Sequence, residues 1–312
     1  MAHLGEIISL AVAVSWTATA LFADEASHRL GSLPVNVIRL VLGSVFLGLI
    51  LWFTIGAPYP RFADGPTWFW LALSALVGYL FGDFCLFNSY LIIGARFGQL
   101  FMTLAPPMAA IAGWAMLGET LSWRSILAML VTISGIAISI LAKGNDKKMH
   151  FTLPFKGILL GLGAGAGQGI GLVLSKVGMQ HYEAALPADV PAAMGTMMPF
   201  AATQIRALIG GLGFVIMLLL QRQGKHFLEV TRQDHKGVRA AVLTTIFGPV
   251  VGVSLSLMAV QYARAGIAST LMALTPVLII LPYALIHKQK VKPKEILGVT
   301  ISMIGVAMFF LL

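Results

Sequence analysis

The sequence predicts an all-α integral membrane protein with ten transmembrane helices arranged as two inverted five-helix repeats. Hydrophobic residues make up 58% of the 312 and charged residues only 11%, against about 25% charged in a soluble domain. The apolar residues gather into ten blocks near the length of about 20 residues that a helix needs to cross the bilayer core. The two halves of the chain also repeat one another. Each block is read as a helix, because an open strand in lipid leaves backbone groups unpaired.

In order, span one covers 4–23 and carries Trp16. Its small residues near "ATALFADEA" suit a cleavage site, but Glu6 stands where a secretion signal needs positive charge, so it is read as a retained helix. Span two covers 34–54 and holds Arg39, with Gly43 four residues on. Span three, 67–91, has Asp83 as its one charge between Trp68 and Asn88. Span four, 97–117, contains Pro106 and Pro107, and span five covers 124–142. Span six, 156–176, contains "GLGAGAGQGIG" at 161–171. Span seven, 198–220, holds Arg206 and Gly210. Spans eight (238–261), nine (267–287, with Pro276) and ten (295–312) complete the chain.

The repeat appears at an offset of 170, where "GYLFGDFCLF" at 78 matches "GPVVGVSLSL" at 248, and "LFMTLAPPM" at 100 matches "TLMALTPVL" at 270. "TISGIAI" at 132 likewise meets "SMIGVAM" at 302. Earlier in each half, "IRLVLG" at 38 meets "IRALIG" at 205, which pairs Arg39 with Arg206. The units are 1–142 and 157–312, joined by a linker at 143–156. Five is odd, so the second unit enters the membrane inverted, the plan of alternating-access proteins with a midplane site between the halves.

Apart from Arg39 and Arg206, the basic residues divide unequally. Arg29, Arg96, Lys143, Lys147, Lys148, Lys156, Arg222, Lys225, Arg232, Lys236, Arg239, Lys288, Lys290, Lys292 and Lys294 follow odd-numbered spans. Arg61, Arg124, Lys176 and Arg264 follow even-numbered ones. The positive-inside rule then puts the linker in the cytoplasm and both termini outside. The net charge of +9 sits between apolar blocks and meets anionic headgroups, with no role for nucleic acid.

The ten spans, the duplication and the motif order resemble the drug/metabolite transporter (DMT) superfamily, more narrowly an EamA-domain protein. The residues that carry the resemblance are Trp16, "PVNVIR" at 34, "LAPPMAAIAGWAMLGETL" at 104 and "GIAISIL" at 135. The resemblance implies a central cavity lined by spans one to four and six to nine, with five and ten peripheral. It implies a multi-pass protein of a bacterial inner or plasma membrane. The implied activity is secondary transport, the export or exchange of small metabolites, amino acids or drug-like molecules by alternating access. It also implies cytoplasmic termini, the reverse of the charge count, which is followed because an inverted duplication can be fixed either way round. The second half departs from the pattern, with Gln289 opposite Glu119 and Gln168 opposite Trp16.

Asp83 leads the candidate substrate-binding residues. A carboxylate at the bilayer centre costs about 2.5–3.5 kcal/mol to insert, so it faces a cavity or a partner. Helical spacing places Tyr79, Phe87 and Tyr90 on its face, an aromatic wall with one acid that suits a cationic, zwitterionic or amphipathic solute. The acid also suits proton coupling, or a structural pairing with an Arg. Trp16 and Gln168, midway along the first span of each half, are set to reach the same cavity. Arg39 and Arg206 read as gating or interfacial anchors, at opposite membrane faces and close enough to snorkel, with anion binding as their alternative role. Pro106, Pro107 and Pro276 interrupt helix ladders, as bends or static kinks. Asp24 and Lys176 read as ordinary solvated charges at span ends.

The glycines of span six recur every four residues on two faces, which is close helix packing and not a nucleotide loop. The seven histidines fall in loops or at span ends, and Cys85 is the one cysteine, so no catalytic, metal or cofactor motif is present. The chain reads as a monomeric, non-enzymatic protein that handles a small molecule in a lipid bilayer. The alternative reading is a non-transporting binding or scaffold protein in which Asp83 is structural.

Overall fold

A computed structural model describes residues 3–120, 122–141, 154–187, 192–286 and 293–311. Among these residues there are helices and no strands. Most of the expected linker, and Gln289, lie outside them.

Helices one (Leu4–Leu30), two (Ser32–Ile55), three (Gly65–Ala95) and four (Phe97–Leu117) are long and apolar enough to cross a membrane. The same holds for six (Phe155–Ala185), seven (Met194–Leu220), eight (His235–Tyr262) and nine (Ala265–Ile286). Helices five (Trp123–Leu141) and ten (Pro293–Leu311) carry shorter apolar parts, Ile126–Gly135 and Ile296–Gly305. Helix one runs seven residues past its expected end at 23. Its last turns are held by Arg29 and His28, which reach back four residues to Glu25 and the Asp24 carbonyl, and Gly31 then ends it at φ 90°. The chain kinks at Gly94, at φ 78°, at the end of helix three, where any side chain would strain the turn.

The packing carries the duplication into three dimensions. Helix one packs on eight and six on three, while two packs on seven, four on nine, and five on ten. Under the repeat, one corresponds to six and eight to three, so the first two contacts are one contact made twice. The other three join each helix to its own counterpart. The two repeats therefore pack on one another through equivalent helices. Helices five and ten pack chiefly on each other, at the periphery, as the resemblance implied.

The interruptions of helices four and nine were expected from their prolines, and the π-helical stretches were not. Helix three contains a π-helical stretch at Leu76–Asp83 and helix eight another at Ile246–Val253, at the 170-residue offset of the repeat. Helix four tightens into a 3₁₀ turn at Met102–Leu104 before restarting, and helix nine breaks between Met272 and Thr275. Pro106 and Pro276 sit in the first turn of the restarted segments, where a missing N–H costs least. They begin helices more than they bend them. Between helices seven and eight, Gly224–Gln233 forms a short helix in what reads as loop, with Phe227 and Val230 packed on a core that includes Ala23, Ala26 and Ala240.

Helix six meets its neighbours through both glycine rows. A methyl group on Gly165 or Gly169 would lie 2.4 Å from the carbonyl oxygens of Phe101 and Ala105 in helix four. On Gly167 or Gly171 it would lie 2.8 Å from the Cα atoms of Gly82 and Gly78 in helix three. Backbone therefore rests on backbone across the boundary between the halves, which fixes the helix holding Gln168 against the helix holding Asp83.

Candidate functional site

At the middle of the bundle, helix three ends its π-helical stretch on Asp83, a residue only 3% exposed. Arg39 of helix two, 4% exposed, pairs with one carboxylate oxygen and also donates to Asn36 Oδ1 at 3.1 Å. Asn36 is itself held by the Ser32 carbonyl. The other Asp83 oxygen accepts from Gln168 Nε2 at 2.6 Å, and the same Gln168 nitrogen donates to the Gly78 carbonyl at 3.1 Å. A comparable bond in the other half, one residue earlier at each end, runs from Ser15 Oγ to the Phe247 carbonyl at 2.7 Å. The first helix of each half thus donates to the π-helical stretch of the other. Such stretches leave carbonyls out of the regular ladder and recur at functional sites.

The arginines overturn one expectation. Arg39 and Arg206 are not at opposite faces and do not snorkel. Both guanidinium groups lie near the Tyr79 ring, at 5.7 Å and 4.5 Å from its centroid, and Arg39 also stands 4.8 Å from the Phe87 centroid. Arg39 sits in the first half of helix two and Arg206 near the middle of helix seven, and both long side chains turn inward to the same ring. Arg206 is 3% exposed, its Nε has no hydrogen-bond partner, and among the described residues no carboxylate forms an ion pair with it.

Beside this cluster lies a chamber of about 40 Å³. Its walls come from both halves: Trp16, Gln99 and Met102, Gln168 and Arg206, then Val253, Ser256, Ser269, Met272, Thr275 and Pro276. Of the expected site residues, Trp16, Gln168, Arg206 and Pro276 line it. Asp83, Tyr79 and Phe87 stand behind Gln168 and Arg206, engaged with the protein itself, so the acid is not presented to the chamber in this conformation. Pro106 is buried in helix four. Gln99, Ser256, Ser269 and Thr275 were missed, although each is a polar residue inside an apolar span.

Each end of the chamber has a closure. Gln99 Nε2 donates to the Tyr90 hydroxyl at 2.5 Å. Tyr90 also lines a wide vestibule of about 800 Å³, with Asp24, Glu25, His28, Arg29 and Gly94, at the end of the bundle reached after odd-numbered helices. The Gln99–Tyr90 bond therefore stands between chamber and vestibule. At the other end Lys176 Nζ donates to Glu119 Oε1 at 2.6 Å and to the Ala263 carbonyl at 3.2 Å, and Arg264 bonds the Thr120 carbonyl. This latch joins the loop after helix four to helices six and eight. Asp24 and Lys176 are thus not idle solvated charges. Asp24 accepts from the Ala95 N–H at 3.2 Å, across the Gly94 turn.

A sequence model of the EamA-like transporter family matches residues 3–141 and 155–311. No curated protein matches the sequence. Among solved structures, a crystal structure of a protein superposes with a TM-score of 0.68 at 16% identity, over 98% of this chain and 96% of its own. At that identity the likeness speaks for the fold alone.

Proposed function

The chain belongs to the EamA-like transporter family, an integral multi-pass membrane architecture, and from that premise we propose a secondary transporter of small organic molecules working by alternating access. In this reading the ten helices all cross the membrane, residues 1–142 and 157–312 rock against one another, and Trp16, Gln168 and Arg206 contact the solute. Asp83, Arg39, Tyr79 and Phe87 form the rigid wall behind that site. The observation that supports it best is a chamber built by both halves, largely apolar with a few polar side chains, and with one breakable closure towards each end.

The Gln99–Tyr90 bond is a thin door to the vestibule, and the Glu119–Lys176 pair with Arg264 and Thr120 is the heavier latch opposite. Breaks at 102–104 and 273–274 let the chamber-facing parts of helices four and nine move while their ends stay packed. Broken helices at the midplane are how such proteins expose polar backbone only to a cavity. The charge count places the vestibule end in the cytoplasm, so this conformation opens inward once the Tyr90 door moves.

Flux from proteoliposomes tests the reading. With mixed metabolites sealed inside, purified protein should release at least one pool faster than empty liposomes, and Glu119→Gln with Lys176→Met should alter the rate. Loss of no pool, with or without the latch variants, would sink it.

A further inference from the structure

The proposed transport site has an unbalanced charge, and the repeat shows where the balance is missing. In the first half, Arg39 of helix two pairs with Asp83 of helix three. In the second half Arg206 of helix seven stands where Arg39 does, and Val253 of helix eight stands where Asp83 does. Val253 ends the second π-helical stretch as Asp83 ends the first, and both Arg206 and Val253 line the chamber. We propose that the chamber binds the carboxylate of a small monocarboxylate solute on Arg206, in the place that an acid at position 253 would fill.

The inference rests on the transporter reading for its purpose and on three observations for its chemistry. Arg206 is 3% exposed with an unpartnered Nε, and a buried guanidinium without an acceptor is costly. Its planar fork matches a carboxylate through two parallel bonds. Asp83 neutralises one of the two guanidinium charges and leaves one, which a single carboxylate cancels. A phosphate dianion would leave a surplus negative charge, and a cation would add to the positive one. The aromatic wall with one acid, read from the sequence as suited to a cationic, zwitterionic or amphipathic solute, is not the solute's own surface, because the acid is already spent on Arg39. Beside Arg206, Trp16, Met102 and Met272 offer apolar surface to the rest of the solute.

Thermal-shift and flux measurements on the full-length purified protein test this, with lactate, pyruvate and propionate, inorganic phosphate, glycerol phosphate and choline as probes. Monocarboxylates should raise the melting temperature, and Arg206→Gln should weaken that apparent affinity by at least about thirtyfold, the loss expected when one partner of a buried charge pair is removed. Val253→Asp should abolish the shift while leaving elution unchanged and the melting temperature no lower, because the chain then supplies its own carboxylate. It keeps the test alive if Arg206→Gln does not fold. A shift that survives both variants, a larger shift with phosphate or choline, or no shift with any monocarboxylate at millimolar concentration overturns the proposal. Monocarboxylate binding without flux counts against transport and not against the site. Flux of cations or neutral solutes that ignores Arg206 counts against the site and not against transport.

Discussion

Arg39 and Asp83 bury opposite charges at the bilayer's depth, with every strong acceptor of Asp83 occupied. Breaking one side of a buried pair leaves the other charge uncompensated, at about 3–5 kcal/mol. Asp83→Asn should therefore lower the melting temperature by several degrees, and Arg39→Met with Asp83→Leu should recover most of the loss. An unchanged melting temperature in Asp83→Asn would remove the pair from the account. A second residue-scale test lies outside the membrane. The Gly237 N–H, and then the Arg29 side chain, hold the Asp234 carboxyl below its ordinary 3.8 against the opposing effect of desolvation. A lowered native pKa gives stability that is present above the unfolded value and lost as pH falls through the native one. The melting-temperature gap between wild type and Asp234→Asn should thus be open above about pH 4 and close on further acidification. A gap that widens on acidification contradicts the assignment.

Helices record how much could be read in advance. Each expected block falls on a helix among the described residues, and eight of these helices are long and apolar enough to cross a membrane, because such a block has one way to satisfy its backbone in lipid. The two glycine rows of helix six were legible from a four-residue spacing, which names two faces whatever they meet. The π-helical stretches were not, since a one-residue excess in a helical turn leaves the hydrophobic pattern almost untouched. Their trace was the glycine pair shared by 78–82 and 248–252. Arg39 and Arg206 were misplaced because sequence gives depth along a helix but not the direction a long side chain takes. Gln99, Ser256, Ser269 and Thr275 escaped because only three-dimensional convergence separates a chamber residue from one that bonds its own helix. At this scale, Gly167→Leu should cost about 1–3 kcal/mol or more, as overpacking does, since the new side chain meets the Gly82 and Val77 main chain within 3 Å. Gly195→Ala, with nothing within 4 Å, should be neutral or slightly stabilising. Melting temperatures of the two variants in detergent compare them directly, and equal losses would contradict the backbone-contact account.

Across the whole molecule, the repeat makes the halves alike and single substitutions make them differ. Helices one and six meet the π-helical stretches of the opposite half in the same way, yet only one half has Asp83, and among the described residues the other half's arginine has no carboxylate partner. The ends differ as well, with a vestibule and a single hydrogen bond at one and an ion-paired latch at the other. Alternating access requires the latch to open once in every cycle. Glu119→Cys with Lys176→Cys, on a Cys85→Ala background, allows the latch to be locked by a short bifunctional maleimide and then assayed for solute counterflow in proteoliposomes. The account predicts that the unlinked variant transports and the linked one does not. Counterflow undiminished by the cross-link would contradict it.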